Sequence, residues 1–600
     1  MGNGAIALGA LAAGVNVVAG YPGTPSSEII ETIKKYNKDG NVHLEWSINE
    51  KAALEVAAGA SYAGARTLVT MKQMGLNVAA DPLMSVAYVG VKGGMVVVSA
   101  DDPGPISSQT EQDTRFFADY ARIPVFDPVS PKDAYEMIQE AFEYSEKYNT
   151  PVLFRPTTRV CHAYESIEIP EIFNVKEYEG FIKDSKKWVI FPRLSFANHK
   201  MIEQRNPLIG DDFSDYKKNF YTGKGEKAII SSGISYSYTK EYLKDREDVV
   251  FARIATAHPF PEKLVLKALE NVKEVLCVEE LSPYIENQVI KLIGKYHLDI
   301  KVYGKGTNDM PQAGENSTDS VSKVIDKFLG ETKSSEKIDL SDMPELPVRP
   351  PVLCAGCPHR GSFYAVKKAM AGKKAYFCGD IGCYTLGNAM PLDMVDTCLC
   401  MGAGITQAQG LHWTDTDATC FAFVGDSTFF ASGMTGVANA IYNEADLILC
   451  VLDNSTTAMT GHQPHPGTGV NMMGDFVEKM NIADILKGMG VKTVLHVNPL
   501  NFEESVDAVK KCAGEKGVKA ILFESPCIAL YKPVQKMMIN DKCIKCKKCI
   551  REIGCPAIIT ENGKVTIDTS LCTGCNLCTQ ICPVNAIEKN EISAGGEKNE

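Results

Sequence analysis

The sequence predicts a multidomain α/β protein closed by a small cysteine-rich module. Three observations carry that expectation. Short apolar runs alternate with helical patterns over most of the 600 residues. The alternation restarts twice after polar stretches. The chain then ends on two cysteine blocks of similar spacing, an internal duplication.

The first unit is expected over residues 1–190. Its opening, "MGNGAIALGALAAGV", is apolar but lacks a basic n-region, so it reads as a domain's first helix rather than a leader. "NVVAGYPGTPSSEIIETI", "TLVTMK" and "GGMVVVSADDPGP" each read as a buried parallel strand running into a loop. Residues 175–225 are polar and irregular, and are expected to be a connection. A second α/β unit, 225–330, has strands in "KAIISSGISYSY", "VVFARIATAHPFP" and "VKEVLCVEE". Charge and proline mark 331–351 as a linker, 352–535 as a third α/β unit and 538–590 as the cysteine module.

Bulk composition narrows the partners. With 45% hydrophobic and 23% charged residues the chain is ordinary globular protein, and a net charge of −12 disfavours nucleic acid. No apolar run approaches the roughly 20 residues that span a bilayer, so no membrane partner is expected. Twenty cysteines, clustered at ligand spacing in a long chain without a leader, point to a reduced, cytoplasmic compartment.

The tail carries Cys543, Cys546, Cys549 and Cys555-Pro556, then Cys572, Cys575, Cys578 and Cys582-Pro583. Three thiolates at C-x2-C-x2-C spacing surround one face of an iron–sulfur cube, and the fourth cysteine of each block ligates the other cube in two-cluster ferredoxins. One [4Fe–4S] cluster would take Cys543, Cys546, Cys549 and Cys582, the other Cys572, Cys575, Cys578 and Cys555. Structural zinc uses the same ligand type but has no need of the third close cysteine or the Cys-Pro. The first block departs from the bacterial pattern, with five residues before Cys555 rather than three, which lengthens a loop and keeps the ligand count. Beside this block, Lys542, Lys545, Lys547 and Lys548 form a basic run suited to steering an acidic external ferredoxin.

In "FVGDSTFFASGMTGVANAIYNEADLILCVLDNSTTAMTG" one strand delivers Gly425-Asp426-Ser427 to a helix start, and the next ends on Asp453-Asn454. Neighbouring parallel strands end along one edge, so Asp426 and Asn454 can face one volume. A carboxylate and an amide oxygen suit a hard cation such as Mg2+ bridging a diphosphate, with backbone donors from the helix start. An ordinary strand–turn–helix with polar loops remains the alternative.

That stretch resembles the thiamine diphosphate motif, GDG followed by Asn-Asn, with Ser427 for the last Gly and Asp453 for the first Asn. The resemblance implies Asp426, Asn454 and the Thr456 carbonyl as cation ligands. "WSINEKAALEVAAGASYAGARTLV" is similar to the family stretch whose glutamate hydrogen-bonds the aminopyrimidine ring, with Glu50 at the matching place and Glu45 and Glu55 as local decoys. "GYPGTPSSEI" resembles the substrate loop of 2-oxoacid:ferredoxin oxidoreductases, implying contacts from Thr24 and Ser26. The whole order resembles the alpha subunits of the indolepyruvate branch of that family, "LCAGCPHRGSFY" and "LDNSTTAMTGHQPHPGTG" being the branch-specific stretches. It implies a pyrimidine-type domain, a transketolase-C-terminal-like domain, a pyrophosphate-type domain and a two-cluster ferredoxin-like domain. It also implies a smaller beta subunit, external ferredoxin, coenzyme A and a 2-oxo acid, indolepyruvate foremost. Pyruvate or another 2-oxo acid is the alternative substrate, and a non-catalytic electron-transfer scaffold the alternative of another class.

Cys354, Cys357, Cys383 and Cys527 resemble the positions that hold a third, proximal [4Fe–4S] cluster in related pyruvate enzymes; buried free cysteines are the alternative. Cys378, Cys398, Cys400, Cys420 and Cys450 are expected in the core. Among His359, His462 and His465, His462 is the candidate proton shuttle or substrate contact.

Overall fold

A computed structural model describes residues 1–331, 341–531 and 535–590. The chain divides into two compact units, Met1–Leu340 and Ser341–Glu600.

In the first unit six strands form a parallel sheet: β1 (Val17–Gly20), β2 (His43–Trp46), β3 (Thr67–Lys72), β4 (Met95–Ala100), β5 (Val125–Phe126) and β6 (Val152–Phe154). Their order is β2-β1-β3-β4-β6-β5. β4 is buried at every position, which is why its sequence, MVVVSA, is apolar at all positions but Ser99 rather than alternating. The apolar opening forms the buried helix Gly2–Ala12, packed on the helix Pro131–Tyr148. Gly9 allows that approach, since a Cβ there would lie 2.5 Å from the Tyr135 carbonyl oxygen.

A second sheet in the same unit contains β7 (Phe220–Thr222), β8 (Lys227–Ser232), β9 (Val250–Ile254), β10 (Glu274–Val278) and β11 (Lys301–Tyr303), ordered β11-β10-β8-β9-β7 with β7 antiparallel at the edge. Leu54, Val97, Ile230 and Ile254 belong to one core shared by both sheets.

The expected irregular connection at 175–225 is corrected: it contains a helix of 23 residues, Pro192–Ser214. Ile202, Ile209, Gly210 and Phe213 are its buried face, a helical spacing masked in the sequence by the internal Pro207 and polar neighbours.

In the second unit β12 (Ala375–Cys378), β13 (Thr419–Gly425), β14 (Leu447–Asp453), β15 (Thr493–Val497) and β16 (Val518–Glu524) form a parallel sheet ordered β12-β13-β14-β16-β15. The cysteine module adds two antiparallel pairs, β17 (Met537–Ile539) with β20 (Ile587–Lys589), and β18 (Ile558–Glu561) with β19 (Lys564–Ile567). Ile553, Ile558, Leu577 and Ile587 share a core with Phe363, Phe421 and Phe523 of the sheet domain. The module is thus seated on the third sheet.

Residues 332–340 of the expected linker lie outside the described residues; 341–351 are exposed. Among the described residues no helix is long and apolar enough to cross a membrane.

Candidate functional site

Glu50 opens the helix Glu50–Tyr62, whose N-cap Asn49 accepts a hydrogen bond from Ala52 N at 2.9 Å. Its side chain is buried, and burial raises its pKa above the usual carboxylate range despite its own backbone N–H and the charge of Lys72. The decoys separate cleanly. Glu55 is exposed and pairs with Lys51, while Glu45 binds His43 and the Ser47 hydroxyl. The sequence did not single out Lys72, at the end of β3. Burial lowers its pKa, Glu50 and Asp102 counter that, and Nζ donates to Gln109 Oε1 at 3.2 Å. A Cβ on Gly23 would touch the Lys72 side chain, so the Tyr-Pro-Gly-Thr loop lies beside it. In that loop Ser26 Oγ donates to the Gly23 carbonyl and Ser27 Oγ accepts from Gly23 N, both at 2.9 Å. Both hydroxyls therefore close the turn, and Thr24, half-buried, is the residue of the loop with more exposure than its neighbours.

In the second unit Asp426, Ser427, Asn454 and Thr456 are all buried at the ends of β13 and β14. Ser427 N donates to Asp426 Oδ1 at 2.8 Å, and Thr456 N to Asn454 Oδ1 at 3.3 Å. A Cβ on Gly425 would fall 2.6 Å from the Tyr384 ring, so only glycine lets the strand pass that close. The Tyr384 hydroxyl is 3.1 Å from Asp380 Oδ2, a buried carboxyl pushed up to about 7 by desolvation. Burial would also raise Asp426, but His465 beside it and the Ser427 N–H bring it below the usual range. Asp453 is driven up to about 6 by burial and then by the charge of Asp426.

His465, not His462, lies at the acidic cluster. Its Nε2 is 3.1 Å from Asp426 Oδ2, yet neither atom has an aligned hydrogen bond. His462 is exposed with φ +65°, and its backbone N–H closes a turn onto Thr457. His359 is buried and held at about 4 by desolvation, so it is neutral, and Asn454 Nδ2 donates to its Nε2 at 3.3 Å. A buried carboxylate oxygen without an aligned donor, a second acid packed against it and a neighbouring amide oxygen fit a hard divalent cation and the diphosphate it bridges.

The cysteines fall into groups. One cavity is lined by Cys555, Cys572, Cys575 and Cys578, with Cys357 at its wall. Each of Cys555 and Cys572 bears electrostatically on Cys575 and Cys578, and Cys546 and Cys582 bear on Cys549. Cys354 and Cys383 bear on Cys357, and Cys354 and Cys527 on Cys383. Burial pushes the Cys357 thiol up to about 12 and Cys383 to about 11, the expected penalty for thiolate charge without a metal. Two sets of four soft donors, one of Cys555, Cys572, Cys575 and Cys578 and one of Cys354, Cys357, Cys383 and Cys527, fit iron–sulfur cubes, whose irons stand apart, so that the thiols need not converge on one point. Among the described residues, no three His, Cys, Asp or Glu side chains converge as around a single ion.

Two links join these groups to the acidic loop. His359 follows Cys357-Pro358 and contacts Asn454, and Cys527 N donates to the Asn454 carbonyl at 3.0 Å. A correction concerns Cys398 and Cys400, expected in the core but exposed, whereas Cys378, Cys420 and Cys450 are buried. The former two sit in a loop after β12, where neighbouring Leu399 is also exposed. Lys542, Lys545 and Lys547 are exposed and Lys548 half-buried.

Comparison with known proteins matches residues 8–203 to the pyruvate flavodoxin/ferredoxin oxidoreductase thiamine diphosphate-binding family. Residues 380–522 match the thiamine pyrophosphate enzyme C-terminal binding domain and 565–588 a 4Fe–4S binding domain. The indolepyruvate oxidoreductase subunit IorA of Methanothermobacter thermautotrophicus is 39% identical, covering 98% of this chain and 96% of the relative. Those of Archaeoglobus fulgidus and Thermococcus kodakarensis are each 39% identical over 98% of this chain and cover 97% and 96% of the relatives. A solved 2-oxoglutarate:ferredoxin oxidoreductase from Magnetococcus marinus aligns over 54% of this chain and 64% of its own at 18% identity, TM-score 0.44. The chain belongs to the IorA family of indolepyruvate:ferredoxin oxidoreductase alpha subunits, thiamine diphosphate-dependent iron–sulfur enzymes of the 2-oxoacid:ferredoxin oxidoreductase class.

Proposed function

We propose that the chain catalyses the coenzyme A-dependent oxidative decarboxylation of arylpyruvates, indole-3-pyruvate foremost, to the aryl-acetyl-CoA, CO2 and reduced ferredoxin. It does so with a smaller beta subunit. The observation that carries this reading is the sharing of Asn454 between the acidic loop and the cysteine groups, through His359 and the Cys527 backbone. The aryl preference is taken from the relatives matched over 98% of the chain.

When bound, thiamine diphosphate supplies the carbon nucleophile that cleaves 2-oxo acids. Glu50, kept protonated to a higher pH by burial, would donate a hydrogen bond to the cofactor's aminopyrimidine ring. Asp426, Asn454 and the Thr456 carbonyl are the oxygen donors that would hold a hard divalent cation such as Mg2+. Lys72, next to Glu50, places a positive charge near the substrate loop, where Thr24 donates to the 2-oxo acid. Neutral His359 orients the Asn454 amide, and Cys354, Cys357, Cys383 and Cys527 would hold a proximal [4Fe–4S] cluster, which would supply one-electron chemistry beside the acidic loop.

The test is coenzyme A-dependent dye reduction by the complex with its beta partner, comparing indolepyruvate, phenylpyruvate and pyruvate. At least a tenfold higher kcat/KM for the arylpyruvates is expected. Equal or greater efficiency with pyruvate would overturn the substrate assignment.

A further inference from the structure

Arg360 stands one turn beyond Cys357 in the helix Pro358–Ala369 and is only 4% exposed. Its Nη1 donates to the carbonyls of Ile553 at 2.6 Å and Gly554 at 3.0 Å, and its Nη2 to Leu353 at 2.6 Å and Cys354 at 3.4 Å. Nε is buried with no hydrogen-bond partner. The guanidinium is thus gripped by neutral oxygens alone, and the charges that bear on it most are thiols: Cys555, Cys357, Cys575 and Cys354. Two of these belong to the tail group and two to the proximal group. Arg360 also lines the cavity bounded by Cys555, Cys572, Cys575 and Cys578.

The backbone brings the two groups close at this point. Gly356, φ +78°, packs so tightly on Thr573 that a Cβ would sit 1.7 Å from its hydroxyl. The Cys354–Cys357 loop and the Cys572–Cys575 loop therefore touch, with Arg360 beside the contact. Burying a cation away from water without a counter-anion is unfavourable. Clusters bound by four thiolates carry net negative charge and become more negative on reduction, and their potentials respond to nearby charge and to hydrogen bonds to sulfur.

We propose that Arg360 is the shared counter-cation of the proximal and the adjacent tail cluster, and that it sets their reduction potentials. The proposal rests on the ligand sets assigned above. Each cluster accepts one electron, released by the 2-oxo acid in the family's own reaction, and passes it on unchanged in ligation. The guanidinium stabilises the reduced, more negative state of both partners, and its Nε, buried with no hydrogen-bond partner, is the donor available to a cluster sulfur. Removing it makes reduction harder, so the midpoint falls.

The experiment is an EPR-monitored redox titration of the holoenzyme. Arg360→Gln, with native iron content, is expected to show at least a tenfold smaller equilibrium constant for reduction of the proximal and of the adjacent tail cluster, about 59 mV for each one-electron step. Arg360→Lys, which keeps the charge, is expected to retain most of the native potential. Native midpoints in Arg360→Gln would overturn the proposal. Should Arg360→Gln lose iron, pulsed EPR on the native protein labelled with 15N-arginine decides: coupling of the reduced cluster to a labelled nitrogen is expected, and its absence overturns the proposal. The ligand sets are tested separately, because Cys575→Ala must lose about four irons. Retention of all iron there would defeat the ligand assignment instead.

Discussion

Gly75→Ala tests the placement of Glu50 without touching its chemistry. Gly75 lies in the helix Gln73–Val78, and a Cβ added there would fall 2.6 Å from both Cγ and Oε1 of Glu50. Ordinary contact between such atoms is about 3.5 Å, so the carboxyl must move by about 1 Å. Overpacking costs about 1–3 kcal/mol, and the change from glycine to alanine within a helix returns about 1 kcal/mol. Stability should therefore change little, whereas a displacement of about 1 Å in a reacting group lowers turnover about 100-fold. The assay is coenzyme A-dependent dye reduction by the complex, with thermal unfolding of the chain in parallel. If Glu50 is the group displaced, Gly75→Ala combined with Glu50→Gln should be no slower than Glu50→Gln alone. Full turnover in Gly75→Ala with an unchanged Tm would refute the assignment of Glu50.

Three further outcomes follow from the same geometry. Asn454→Ala should lose bound thiamine diphosphate on desalting while keeping its iron, with cation affinity down by about 10-fold or more; a thiochrome assay beside iron quantitation checks it. The reconstituted chain should hold about twelve irons rather than about eight, and Cys383→Ala about four fewer, read by colorimetric iron analysis. Glu280, raised to about 7 by burial against the opposing Asn316 N–H, takes up a proton on folding. Its contribution to stability is full below its unfolded pKa, near 4.5, and is lost as pH rises through about 7. Glu280→Gln should match the parent near pH 4.5 and exceed it by up to about 3 kcal/mol at pH 8, measured by denaturant unfolding across that range.

Much of this protein is legible from short-range chemistry. The C-x2-C-x2-C blocks present their thiols within a few residues of one another, so spacing alone indicates the donor set. Gly425-Asp426 and Asn454 end successive apolar strands, and adjacent parallel strands end on one edge. Glu50 is different: its role rested on resemblance, and burial with its raised pKa is what distinguishes it from Glu45 and Glu55.

The α/β class, the cysteine blocks and the acidic loop are readable along the chain, because each depends on periodicity or on neighbours a few residues apart. Tertiary structure alone decided that His465 rather than His462 meets Asp426, that Lys72 lies by Glu50, and that Arg360 sits between two thiol groups. It also decided that Pro192–Ser214 is a helix despite Pro207, since packing of one apolar face outweighed local propensity. The physical reason is the same throughout: contacts between distant segments are made by chain packing, and no spacing along the chain encodes which of several similar side chains will be buried together.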